Sequence, residues 1–155
     1  MMEPRYRDIK SRQVPEVELE NGARIRVICG RVGDNQGPVK DIVIDPEYLD
    51  ITVPAKTEFT HATKQGHTVF AYVIEGRGHF DKQKEGFIGN GMLCLFADGD
   101  HVMVSTESDA VRFLLISGQP INEPVAWYGP IVMNTDEELE IAFEEYRNGT
   151  FIKHT

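Results

Sequence analysis

Four histidines, His61, His67, His79 and His101, fall in or beside a run of short apolar segments, and a fifth, His154, stands near the C-terminus. Neutral imidazoles projecting from neighbouring strands can hold iron, zinc, nickel, copper or manganese. Ligands on strands must share a face, and residues two apart do so. His61 and His67 are six apart across Gly66, so their convergence depends on the loop between them. His101 directly follows the turn Asp98-Gly-Asp100. The candidate metal ligands are therefore His61, His67 and His101, with Glu75 as a fourth. A lone histidine more often serves a structural hydrogen bond, and this spacing is not diagnostic by itself.

Other chemistry has less support. There is no Gly-x-Ser-x-Gly elbow, and neither Cys29 nor Cys94 has a histidine nearby in sequence. Gly76-Arg-Gly78 and Gly89-Asn-Gly91 are too short to cradle phosphate and have no following Lys-Ser/Thr, so they read as turns. Tyr72, Trp127 and Tyr128 could stack on a small planar or sugar-like ligand. For Trp127-Tyr-Gly-Pro130 the competing reading is a structural corner packed on the core.

The elements that position these residues follow an all-β rhythm from Ala23 to about Ser117. Ala23, Ile25, Val27 and Cys29 alternate with polar residues, as do Leu49, Ile51 and Val53, which predicts two strands with one wet face each. His67 to Glu75 is apolar at both parities, the pattern of a central strand covered on both sides. Glu75-Gly-Arg-Gly78 reads as a tight turn into His79-Phe80. Further strands are expected at Gly86–Ile88, Met92–Phe96, Val102–Thr106 and Val111–Ser117, with Asn90-Gly91 and Asp98-Gly99 as turns. The tail changes period: Thr135 and Glu138 have capping-box spacing, and Leu139, Ala142, Phe143 and Tyr146 recur at helical intervals. This predicts one helix at about 136–147, closing at Asn148-Gly149, whose apolar stripe docks on the β-fold or on a partner.

The 155 residues fit one globular domain at 21–155, preceded by an extended arm or edge strand over 1–20. A formal charge of -9 opposes contact with phosphate backbones or anionic lipid, so no direct nucleic acid or membrane partner is expected. No apolar run spans a bilayer and no secretory signal is evident, which points to a cytoplasmic protein. Its two cysteines read as buried free thiols.

Pro54-Ala-Lys-Thr-Glu-Phe59, Tyr72-Val-Ile-Glu-Gly-Arg-Gly78 and Ala97-Asp-Gly-Asp100 resemble the two strand motifs of the cupins. Ile116 to Thr135, with the helix and Gly149-Thr-Phe151 after it, is similar to the end of the pirin family. The likeness extends back through Val17-Glu-Leu-Glu-Asn-Gly22 and Arg26-Val-Ile28, and Met2-Glu-Pro-Arg-Tyr6 looks like the stretch joining the two cupin domains of that family. The resemblance implies an all-β fold, a cupin-type double-stranded β-helix (jelly-roll barrel) with one C-terminal α-helix, matching the C-terminal half of a bicupin.

In that family a metal, usually iron, is held by three histidines and a glutamate of the N-terminal cupin, and no segment here matches that motif. His61-Ala-Thr63 stands where a metal-binding cupin has His-x-His, Thr68 falls near the acidic ligand position, and the second-motif histidine falls near Val102, one residue from His101. The resemblance thus implies a non-catalytic or cryptic binding and assembly module that forms a homodimer through unpartnered apolar surface. The alternative is a metal-dependent dioxygenase, quercetin 2,3-dioxygenase-like, with a site rebuilt from His61, His67 and His101.

Overall fold

The structure, a computed structural model, describes residues 6–153. His154 and residues 2–5 of the linker-like stretch lie outside the described residues. The chain divides into two units, the first ending at Pro120 and the second beginning at Ile121.

The first unit is built from antiparallel strands. After a short 3-10 turn at Ser11–Gln13 come β1 (Glu16–Glu18) and β2 (Arg24–Cys29), then a small hairpin, β3 (Arg31–Val32) and β4 (Asn35–Gln36). There follow β5 (Glu47–Val53), β6 (Glu58–Ala62), β7 (Thr68–Gly78), β8 (Ile88–Gly89), β9 (Leu93–Leu95), β10 (His101–Ser105) and β11 (Val111–Gly118). A seven-stranded sheet runs in the order β1-β2-β5-β11-β7, with β8 and β9 both pairing the far side of β7. β6 and β10 form a two-stranded sheet of their own.

One continuous core joins these two sheets, with Leu49, Ile51, Val73 and Leu115 from the large one and Phe59, Val102 and Val104 from the small one. Phe113 is its hub, meeting Phe59 and Phe80 edge to face at 6.3 and 5.1 Å between centroids. The alternating burial of β2 and β11 follows from this, since odd and even residues face opposite sides of a strand.

Three expectations are corrected. Glu75-Gly-Arg-Gly78 is not a turn: β7 runs on to Gly78. The ladder to β11 skips Ile74, so the segment is a bulge that carries the chain towards β10, where His79 and Ser105 exchange backbone hydrogen bonds of 2.8 and 2.9 Å. Asp50 is not on a wet face, being 7% exposed. The Arg112 guanidinium grips its carboxylate bidentately at 2.9 and 2.7 Å, and Arg26 lies 3.5 Å away. Finally, β7 is covered on one side only, because Tyr72 is exposed and Phe70 half-buried.

In the second unit β12 (Ala126–Tyr128) and β13 (Ile131–Met133) form a hairpin, followed by α1 (Asp136–Asn148). Thr135 Oγ1 accepts from the Glu138 N–H at 3.2 Å, the Glu138 carboxylate accepts from the Thr135 N–H, and Gly149 closes the helix at φ 72. Asp136, Glu137 and Glu138 occupy the first turn and Arg147 the last, both favourable to the helix dipole. The apolar stripe docks on the hairpin: Leu139 and Ala142 are buried with Ala126 and Ile131. Tyr146 does not join them. It is exposed and meets Phe151 edge to face. Among the described residues no helix is long and apolar enough to cross a membrane.

Both cysteines are free thiols. Cys29 in β2 is buried and Cys94 in β9 half-buried, and loss of solvation raises both thiols above their ordinary value.

Candidate functional site

At one end of the first unit, inward-facing positions turn polar. Glu47 opens β5 with the parity of buried Leu49 and Ile51, Ser117 is the next-to-last residue of β11 with the parity of Phe113 and Leu115, and the two are register partners. His61 lies on β6 with the parity of buried Phe59 and pairs with buried Val102, so its ring also faces inward. Its Nε2–H donates to the Glu47 carboxylate at 2.9 Å, and the ring lies parallel to Phe59 at 6.3 Å.

A cavity of about 510 Å³ opens beside this pair, lined by Glu47, Ser117, His67, Asp45, Lys64 and Arg31 among others. His67 sits in the turn before β7, and its buried Nδ1 has no hydrogen-bond partner. Lys64 pairs with Asp45. The hydrogen bond from Lys64 is the main reason the Asp45 carboxyl titrates below its ordinary value, and the nearby charges of Lys64 and His67 add to it. The site therefore offers both donors and acceptors, suited to a small polar ligand held by hydrogen bonds. Glu47 and Ser117 were absent from the sequence-based candidates. The signal that could have found them is a polar residue at the buried parity of an apolar strand.

The three candidate metal histidines are not gathered into one cluster. His101 pairs with exposed Ala62, one position along from the His61–Val102 pair, so its side chain leaves the opposite face of the small sheet. There it pairs through Nδ1 with Asp100, a bond that pulls the Asp100 carboxyl down. Glu75 is the register partner of Arg112 on the outside of the large sheet. Among the described residues no three His, Cys, Asp or Glu side chains converge as a bound metal requires. The donor set present does not fit the metal that the family resemblance implies. His79 is structural: it is buried, donates from Nδ1 to the Gly86 carbonyl at 2.9 Å, and packs on Phe87 at 4.1 Å.

Nor are the aromatic candidates gathered in the interior. Tyr72 points outward from β7, between inward Ala71 and Val73. In the second unit Trp127 and Tyr128 occupy successive positions of β12, on opposite faces of the hairpin. Tyr128 meets Phe143 edge to face, whereas Trp127 pairs with exposed Val132 and donates its indole N–H to the Gly129 carbonyl at 2.8 Å.

Comparison with known proteins places the chain. Residues 48–152 match the Pirin C-terminal cupin domain. The chain is similar to Pirin-1 of Arabidopsis thaliana, with 36% identity over 151 residues, covering 96% of this chain and 52% of the relative. A pirin-like protein of Caulobacter vibrioides is 32% identical over 97% of this chain and 54% of its own length. Among solved structures, quercetin 2,3-dioxygenase from Acinetobacter baumannii superposes with a TM-score of 0.85 at 28% identity, covering 95% of this chain and 50% of that one. The chain thus spans about half the length of these relatives. With the C-terminal cupin model matched from β5 through β11, the hairpin and the helix, the chain belongs to the pirin family of cupins.

Proposed function

We propose that this chain is a non-catalytic pirin-type cupin module that binds a small polar ligand beside Glu47 and His61 and assembles with a second copy of itself. The observation that carries the reading is the divergence of His61 and His101, which occupy neighbouring strands but leave opposite faces of the sheet. Each is already paired with a carboxylate, Glu47 and Asp100 respectively. The two free thiols favour a cytoplasmic setting.

The test is metal content after purification without chelators, together with loss of quercetin under oxygen. The expected result is metal far below one per chain and no turnover. About one metal per chain, lost on His61→Ala or His67→Ala, would overturn the reading. Binding is checked by thermal shift against sugars and planar phenols, and a stabilising compound should lose its effect in Glu47→Gln. Absence of any stabilising compound from a broad panel counts against the ligand site.

The second reading, a metal-dependent dioxygenase holding iron, zinc, nickel, copper or manganese at His61, His67 and His101, draws its support from the similarity to the Acinetobacter baumannii enzyme. It requires His101 to turn through the sheet, and the same metal measurement decides between the two.

A further inference from the structure

β7 is apolar at both parities, as strands covered on both faces are, yet the outer face of its sheet is open. The register spreads this outward surface over four strands. Phe70 pairs with Ile116 and Leu95, and Ile116 pairs with Tyr48. Two residues further along β7, Tyr72 pairs with Leu114 and Leu93, and Leu114 pairs in turn with Asp50. Both rows end on β9, where Leu93 is 58% and Leu95 67% exposed. In the next row Arg112 stands beside Glu75, a cation and an anion side by side on β11 and β7.

We propose that this face, centred on the β11–β7 pair, is the contact between two copies of the chain. The proposal rests on the assembly half of the reading above and supplies its surface. A two-fold axis lying in the plane of the face, along the strands and between β11 and β7, exchanges the two strands of the pair. Ile116 of one copy then lies over Phe70 of the other, Leu114 over Tyr72, and Tyr48 over Leu95. The same operation sets Arg112 over Glu75, so each charge meets its opposite. Leu93 falls over Asp50, whose carboxylate is already engaged by Arg112 and Arg26. The Tyr48–Ile116–Phe70–Leu95 row and the Arg112–Glu75 pair match themselves under this one rotation, which suits a second copy more than an unrelated partner.

Strands about 4.8 Å apart, with outward residues about 6.8 Å apart along each, give the three rows a flat footprint on the order of 400 Å². Side-chain relief enlarges the accessible area, but the pair stays at the small end of specific interfaces, below the standard of about 800 Å² per partner. The dimer is accordingly weak, with a Kd on the order of 1–100 μM.

Sedimentation velocity of the full chain from about 1 μM to about 1 mM brackets that range. The wild type should pass from monomer to dimer. Leu93→Glu, which sets a second carboxylate over Asp50, and Leu95→Lys, both at exposed sites that leave the core intact, should each raise Kd at least about tenfold, and Glu75→Arg should do so by setting like charges face to face. Val43→Lys, at another exposed apolar position, should leave Kd unchanged, and circular dichroism verifies that every variant is folded. A wild-type chain that stays monomeric throughout overturns both this interface and the assembly reading. A dimer unaffected by the three face variants overturns this interface alone and leaves assembly through another surface standing.

Discussion

Gly76 and Gly66 make a matched pair for measuring what the β7 bulge demands. Both have positive φ, +71 and +81, but a Cβ at Gly76 would lie 1.9 Å from the Ala110 carbonyl oxygen, whereas at Gly66 it would meet nothing within 4 Å. Placing alanine in the left-handed region costs about 1–2 kcal/mol, and stiffening of the unfolded chain returns about 0.4–1 kcal/mol. Gly66→Ala should therefore destabilise by about 1 kcal/mol. Gly76→Ala carries the same strain and must also move backbone by more than about 1 Å, because Cβ contacts under 3.0 Å essentially never occur. That shift disturbs the hydrogen bonds from the Asn90 N–H to the Gly76 carbonyl and from the Gly91 N–H to the Val73 carbonyl. At about 1 kcal/mol for each disturbed bond, the total becomes about 3 kcal/mol. Urea unfolding followed by far-ultraviolet circular dichroism reads the difference. With a slope of about 2 kcal/mol/M, the midpoint should fall by about 0.5 M for Gly66→Ala and by about 1.5 M for Gly76→Ala. Failure of Gly76→Ala to fold while Gly66→Ala folds agrees with the same reasoning. Midpoints within about 0.3 M of each other would refute it.

Arg112→Ala should cost about 2 kcal/mol by stranding the Asp50 carboxylate, less than a fully enclosed pair because Arg112 is partly exposed and Arg26 remains close. The double variant with Asp50→Ala should cost at least about 1 kcal/mol less than the two single changes added together, as chemical denaturation can determine. Thr135→Ala removes the capping oxygen of α1 and should destabilise the second unit by about 1 kcal/mol, seen in the fluorescence of Trp127, the sole tryptophan. The hydrogen bond from His101 holds the Asp100 carboxyl below its ordinary value. The stabilisation it brings is therefore present above the unfolded aspartate value and lost as pH falls through the folded one. His101→Ala should return Asp100 to the ordinary range in a carboxyl NMR titration, with little change in overall stability because the pair is exposed.

Strand parity carried most of the fold. The runs around Ile25, Ile51 and Phe113 alternate because one sheet face is buried, and local sequence records that directly. The capping pair Thr135 and Glu138 likewise lies within one helical turn. What local sequence does not record is which distant strand arrives. Asp50 looks like a solvent-facing residue until Arg112, 62 positions away, closes on it. Gly76 and Gly78 look like a turn because glycine serves turns and bulges alike, and only the approach of Ala110 distinguishes them. The candidate site shows the same division. His61 and His101 are plausible co-ligands by type, but the register of β6 with β10 places them one residue out of step, and one residue reverses the face.

The two thiols lie toward opposite margins of the seven-stranded sheet, Cys29 on β2 beside the β1 margin and Cys94 on β9 at the other. Cys29 is buried, so its alkylation requires local opening of its margin, whereas half-buried Cys94 is labelled at a rate that follows how well β9 is covered. β9 also carries Leu93 and Leu95, whereas Cys29 lies away from the proposed contact. Raising protein concentration should protect Cys94 from labelling and leave Cys29 unchanged, so that one cysteine acts as a built-in gauge of association and the other as its internal standard.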